Sequence, residues 1–284
     1  MERKQFIQAL KQTKKENFAL SLEGFDLVIS VGALPSRQDA NLLEAMQKSL
    51  QNGSKLVYLF TMEDTNLVEK SSFFSRYEVG SEEGVFALLV KSFLNDVSLP
   101  ESMATYFDEM DDGYISAESN LGEEEIEEIE ALYAKASKVL LVIGEDVLKH
   151  SNAGNIAQLA GATARYGKAK LFISGIKEEE IVLDADNLAL EEVAEIKSFD
   201  GVVVYECPVY EASEEALLIG SAQFQMAAKV QNNDVIDVMI NQKAYRRTFK
   251  KDEHLKGVIA LMPCTKTGDV YPYHVAKIVK ADVQ

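Results

Sequence analysis

Cysteine is almost missing from this chain: only Cys207 and Cys264 occur among 284 residues. Two thiolates cannot hold an iron–sulfur cluster or a four-cysteine zinc site, and their scarcity suits a reducing, cytosolic setting. Histidine is as scarce. His150, His254 and His274 stand far apart, and no H-x-x-x-H spacing or nearby carboxylate makes any of them a metal ligand or a base, so each reads as a surface or internally satisfied ring. No apolar run approaches the roughly 20 residues that span a bilayer. The first fifteen residues are polar and charged, without the apolar core and small-residue cleavage site of a secretory signal, so none is expected. A glycine-rich phosphate fingerprint is also lacking. Gly32 opens no G-x-G-x-x-G, and residues 161–168 miss a P-loop because five residues separate Gly161 from Gly167 and Ala169 stands in place of Ser or Thr. No serine sits in a G-x-S-x-G elbow. Read from the residues alone, the chain offers no catalytic constellation.

What is present is an acidic, core-forming composition. The net charge is −17 and 47% of residues are hydrophobic, with a mean hydropathy of −0.09. Such a chain buries a sizeable core as one large domain or two smaller ones. An acidic body repels phosphate backbones, so nucleic acid is not an expected partner. The charge is uneven: no Lys or Arg lies between Lys91 and Lys135, where twelve acids fall between Glu101 and Glu130. The glutamates at 123–130 lack the ligand spacing of a calcium loop and read as a solvated helix face, with the acids favoured near the helix N-terminus. From Lys229 onward the balance reverses, with ten Lys or Arg against six acids. There Lys243, Arg246, Arg247, Lys250 and Lys251 follow the pattern of a solvated strand.

Hydrophobic patterning predicts an α/β body built from parallel-sheet βαβ units. Continuous apolar runs at 27–31 (ending at Gly32), 55–61, 138–143, 170–174 and 201–205 read as buried strands. Helical spacing covers 39–51, closed by Asn52-Gly53, and continues at 82–93, 122–135 and the slim, alanine- and glycine-rich 152–166. A basic helix is expected within residues 1–16, a short strand at 76–79, and a loop or lid from 95 to 122. After Lys229 the texture changes to alternating strands at 235–240, 244–249, 258–261 and 274–279, a small antiparallel β-rich unit. These patterns divide the chain into an α/β core over 1–228 and a β-rich domain over 229–284. The second is expected to lean on the first through Val235, Val238, Ile240, Ile259, Leu261 and Ile278.

Two stretches carry a family resemblance. Residues 24–94, with a strand ending at Gly32, the nearby Pro35, a helix, a second strand and the turn Gly80-Ser81-Glu82 opening a helix, resemble the central domain of molybdopterin oxidoreductases. Residues 139–175, with Gly144-Glu145-Asp146 and the run SNAGNIAQLAG, resemble the other βαβ half of that domain. The likeness is particularly to the molybdopterin-oxidoreductase-like subunit of NADH-quinone oxidoreductase (respiratory complex I). Residues 232–263 resemble the β-barrel that ends such proteins. The resemblance implies the core of that respiratory subunit without its N-terminal iron–sulfur region, since no cysteine precedes Cys207.

It further implies a non-catalytic structural component of the peripheral arm, its redox centres lost, carrying no cofactor and no metal. Its partners would be other subunits of a respiratory NADH-quinone oxidoreductase. It would be cytoplasmic and peripheral to the inner membrane through the complex, not inserted in the membrane. The alternative is a pterin- or nucleotide-binding oxidoreductase subunit that uses the cleft between the two βαβ halves. Any such cleft, vestigial or live, is expected at the C-terminal strand ends, where Gly32, Ala33, Pro35, Thr61, Glu63, Gly80, Glu82, Gly144 and Glu145 would converge. Thr61-Met62-Glu63-Asp64 occupies the place where cofactor-bearing relatives present an Asp to the guanosine. The carboxylates of Glu63, Glu82 and Glu145 would oppose a phosphate-rich ligand.

Overall fold

The computed structural model describes residues 1–10, 17–177 and 190–281. The chain divides into two compact units, one of residues 1–61 with 66–197 and one of 62–65 with 198–284. The helices are α1 (Glu2–Ala9), α2 (Pro35–Gln38), α3 (Ala40–Gln51), α4 (Glu82–Phe93), α5 (Glu101–Glu109), α6 (Asp112–Ser119), α7 (Glu123–Lys135), α8 (Glu145–Leu148), α9 (Ala153–Tyr166) and α10 (Ala222–Ala228). The strands of the first unit are β1 (Leu27–Val31), β2 (Lys55–Leu59), β3 (Phe73–Ser75), β4 (Val139–Ile143) and β5 (Ala169–Ile173). Those of the second are β6 (Val203–Pro208), β7 (Leu217–Gly220), β8 (Val235–Ile240), β9 (Lys243–Lys251), β10 (Ile259–Cys264), β11 (Tyr273–Val275) and β12 (Lys277–Lys280). No helix among the described residues is long and apolar enough to cross a membrane.

The first unit is an α/β layer structure on an all-parallel sheet in the order β3-β2-β1-β4-β5. Its two middle strands explain the apolar runs of the sequence: every residue of β1 and of β4 is buried. A parallel strand covered on both faces cannot alternate polar and apolar residues. Leu27, Ile29 and Val31 share one face with Leu141, Ile143, Leu171 and Ile173, each such side chain contributing about 1.5–3 kcal/mol when fully buried. Phe6 of α1, Phe86 of α4 and the slim α9 pack on that face. The small residues of α9 let it lie close, and ten of its fourteen residues are buried. Asp26 fixes the register from below, accepting the amides of Ser137 and Lys138 at 2.9 Å each. Asp39 caps α3 by accepting the amides of Asn41 and Leu42.

Three expectations for this unit change. The stretch expected as a loop or lid over 95–122 carries two helices, α5 and α6. Each is short and buries few side chains (Met103 and Phe107 on α5, Ile115 and Ser119 on α6), so its period is hidden among acids. The short strand lies at Phe73–Ser75 rather than 76–79, pairing Val57 with Phe73. The N-terminal helix ends at Ala9, and residues 11–16 lie outside the described residues.

The second unit begins at Ser198 rather than Lys229, because β6 and β7 pair with β10 and β9 instead of joining the parallel sheet. Its sheet is mixed, not antiparallel: β6–β10 and β7–β9 run parallel. The strand order is β11-β6-β10-β7-β9-β8-β12. The two ends of that order, β11 and β12, are separated in the chain by Ala276 alone. One stretch of chain, 273–280, thus passes from pairing with β6 to pairing with β8, which curls the sheet round into a barrel. Ile236, Val238 and Ile240 point inward with Leu218, Phe224 and Phe249, whereas Val235 is exposed. Val238 and Ile240, expected as docking contacts, thus fill this unit's own core. Arg246 pairs with Asp237 through two 2.9 Å bonds, Lys251 meets Glu253 at 2.6 Å, and Arg247, which shares a register position with inward-facing Ile236, is half-buried.

The barrel brings the two cysteines onto neighbouring strands, where Cys207 pairs with Pro263 and Cys264 with Pro208. Paired residues share a sheet face and successive residues alternate, so the two thiols project to opposite faces and cannot bridge. Cys207 is buried, and burial, with the charge of Glu206 behind it, pushes the Cys264 thiol up from its ordinary value. Intact mass after air oxidation should show no internal disulfide. Native labelling at pH 8 should be slower than for a free thiol, accelerating only above pH 9 as Cys264 ionises; rapid labelling of two thiols at pH 7 would contradict this packing.

Candidate functional site

The strand order reverses between β1 and β4, each of which runs out to a glycine. In open α/β sheets this switch point is where a ligand crevice forms. Here Gly32 leaves β1 with φ +73°, a left-handed conformation that glycine adopts without strain. The amide of Gly144 donates to Val31 O at 2.8 Å, and that of Asp146 to Gly32 O at 3.4 Å. A Cβ built on Gly144 would run into the carbonyl of Gly32 and the amide of Ala33, and one on Gly32 would run into Val147. The two turns are thus in backbone contact. Glycine is required at both positions because the other turn occupies the space.

Buried polar side chains surround this contact. Tyr58 donates its hydroxyl to Ala33 O at 2.8 Å. Gln38 accepts the Leu34 amide at 2.7 Å and donates to Asp146 at 2.7 Å. Glu82, fully buried at the start of α4, lies 3.6 Å from His150 Nε2. That nitrogen is 3.1 Å from Gly80 O, while Nδ1 accepts the amide of Asn152 at 3.1 Å. The two bonds place the ring proton on Nε2, facing Gly80, so His150 serves as an internal tie between the α4 turn and the start of α9. Tyr77 lies with its hydroxyl beside Gly32, and burial, reinforced by the charges of Glu82 and Asp146, drives it well above the ordinary tyrosine range.

Of the residues expected to converge, Gly32, Ala33 and Gly144 meet directly. Gly80 and Glu82 join through His150. Pro35 is buried at the first position of α2. Glu145 opens α8 and sits against Gly175 at the end of β5. Thr61 is buried at the end of the segment that follows β2. Glu63 belongs to the second unit, where it pairs with Lys256 at 2.9 Å. Sequence reasoning missed Tyr77, Asp146, Gln38 and the tie made by His150. The buried Asp146 stands within the Gly144-Glu145-Asp146 turn, but nothing local marks the other three.

A pterin dinucleotide, the group the resemblance implies, needs amides and positive charge turned toward its phosphates. The amides of Gly144, Asp146 and Leu34 are all given to partners within the unit. Glu82 and Asp146 place two buried carboxylates beside them. The residues at this switch point do not fit the group.

No family model matches the chain, and no curated protein matches it. Among solved structures, acetylene hydratase from Pelobacter acetylenicus is similar over 53% of this chain and 22% of that one, at 12% identity and a TM-score of 0.42. The chain thus spans about a fifth of that protein, and a likeness this weak carries no assignment of activity, partner or ligand. The fold itself is a parallel α/β unit and a second unit built on a mixed seven-stranded sheet.

The backbone contact yields a direct test. Gly144→Ala should destabilise the chain by more than about 2 kcal/mol, since a methyl has nowhere to go in an already packed backbone contact. Denaturant unfolding followed by circular dichroism checks this, and a loss below about 0.5 kcal/mol would show that the turns are not in contact.

Proposed function

We propose that this chain is a non-catalytic scaffold subunit of an NADH-quinone oxidoreductase, standing in its peripheral arm as a stripped form of the molybdopterin-oxidoreductase-like subunit. The observation that carries the reading is the closed switch point, where backbone fills the place an α/β fold normally gives to a ligand. Closure of that place removes the ordinary reason for keeping such a fold as an enzyme and leaves its surfaces as the functional part. The resemblance of residues 24–94 to the central domain of molybdopterin oxidoreductases, and of residues 139–175 particularly to that respiratory subunit, supports this choice of assembly. In this reading the chain works in the cytoplasm, held at the inner membrane by its partner subunits. The competing pterin- or nucleotide-binding reading requires the Gly32 and Gly144 turns to separate and lose their shared bonds.

The test is co-purification from the native host of the tagged chain after mild cross-linking, with mass spectrometry of what is retained. Enrichment of several NADH-quinone oxidoreductase subunits is expected, and recovery without any of them would sink the assignment. In parallel, GMP and NAD at 1 mM should leave the melting temperature of the purified chain unchanged. A rise of several degrees with either would favour the ligand-binding reading.

A further inference from the structure

Residues 190–197, the last of the first unit, form neither helix nor strand and run as a strap over α4, α6 and α9. Every third side chain turns inward. Leu190, Val193 and Ile196 are half-buried, whereas Glu191, Glu192, Ala194 and Glu195 between them are exposed. A period of three belongs to an extended, polyproline-like chain and not to a helix or a strand. Leu190 and Val193 pack on the core of the unit. A Cβ built on Gly84 of α4 would meet Ile196 at 3.2 Å and Ile115 at 2.7 Å, so the missing side chain there makes room for both.

The helices hold the strap by its main chain. Asn155 of α9, itself buried, accepts the amide of Glu191 at 3.0 Å and donates to the carbonyl of the same residue at 2.8 Å. Glu83 of α4, also buried, takes the amide of Ala194 at 3.1 Å and is oriented by Asn152 and Asn155, each donating at 2.7 Å. Tyr114 of α6 accepts the amide of Ile196 at 3.2 Å. Such bonds suit any extended segment, and the pockets between them read its side chains. One pocket is underfilled. Beside Val193 lies a cavity of about 450 Å³ lined by Tyr106, Met110, Tyr114 and Ile115, with the carboxylates of Glu109 and Asp111 also on its wall. Val193 is the smallest of the three inward side chains, and a larger apolar group at its position would bury more surface there.

We propose that the groove between α4, α6 and α9 is a docking site for an extended segment of a partner protein, and that residues 190–197 are the internal occupant it displaces. The strap shows which chemistry the groove accepts: apolar side chains at every third position and a main chain free to bond between them. The cavity beside Val193 specifies the difference, an aromatic side chain at the middle position of the partner. Because the strap belongs to the same chain, it competes at high effective concentration, and a partner's apparent affinity falls with the fraction of time the groove stands open. A partner that fills the cavity gains contacts that Val193 leaves unmade. The inference rests on the first unit alone and holds whichever assembly the chain joins.

The test uses the full chain and a fluorescein-labelled peptide of residues 190–198 carrying Val193→Phe. Fluorescence anisotropy should show saturable binding to wild type, and a peptide of the same composition in scrambled order should not bind. Weakening the internal competitor in the full chain, by Val193→Asp with Ile196→Asp, should tighten binding about tenfold. Hydrogen exchange on wild type gives a readout that does not depend on that variant folding. Saturating peptide should speed exchange of the Glu191, Ala194 and Ile196 amides about tenfold, as the strap leaves its groove, while the amides of α9 keep their protection. Failure of the peptide to bind wild type, equal binding of the scrambled peptide, or strap amides that stay protected at saturation would each overturn the proposal. Dimerisation of wild type with rising concentration, excluding the peptide while the strap amides stay protected, would also overturn it, by giving the groove to a second copy of the chain.

Discussion

The contact between the turns at Gly32 and Gly144 governs how the first unit is built. Two parallel strands of opposite crossover direction end side by side, and their following turns must either part around a ligand or pack on each other. Here they pack. The Val31 carbonyl takes the Gly144 amide and the Gly32 carbonyl takes the Asp146 amide, so these two turns satisfy part of each other's backbone. Burying those groups without partners would cost about 1–3 kcal/mol each. The contact itself is possible only because neither position carries a Cβ.

The buried polar side chains follow from that closure. Tyr58, Gln38 and His150 each bond a main-chain group close to the switch point, stiffening the turns rather than presenting chemistry to solvent. Burial and the acidic neighbours of Tyr77 push its phenol well above the ordinary tyrosine range. An arrangement of a histidine, a glutamate and a tyrosine within one buried cluster resembles catalytic machinery in composition. Its bonding is that of a structural core: His150 has both ring nitrogens in contact with main-chain groups of its own unit.

Much of this architecture is legible in the sequence, and the boundary between legible and hidden has physical causes. The strands β1, β2 and β4 announce themselves because burial on two faces demands nearly unbroken apolar runs, and Gly32 and Gly144 stand out as the ends of such runs. Their mutual contact does not, because it joins segments more than a hundred residues apart through backbone that carries no side-chain signal. Helices α5 and α6 are hidden because each buries only a few side chains within an acidic stretch. The run at 201–205 reads as a buried strand, and β6 at Val203–Pro208 answers it with a shifted end, but its place in the second unit is invisible. Its partner at 259–264 is distant in sequence, and pairing itself leaves no local mark. Closure of the barrel turns on Ala276, where one stretch of chain passes from pairing with β6 to pairing with β8. Glu63, grouped with the crevice from its place after β2, belongs instead to the barrel unit.

Closure of the switch point by backbone in the resting protein can be read from native-state hydrogen exchange of the Gly144 and Asp146 amides, with and without a mixture of GMP and NAD. Both amides should exchange as slowly as those of β1 and β4, and added nucleotide should leave their rates unchanged. Rapid exchange in the free protein, or protection gained only when nucleotide is added, would mean a crevice open to a ligand and would overturn the closed switch point.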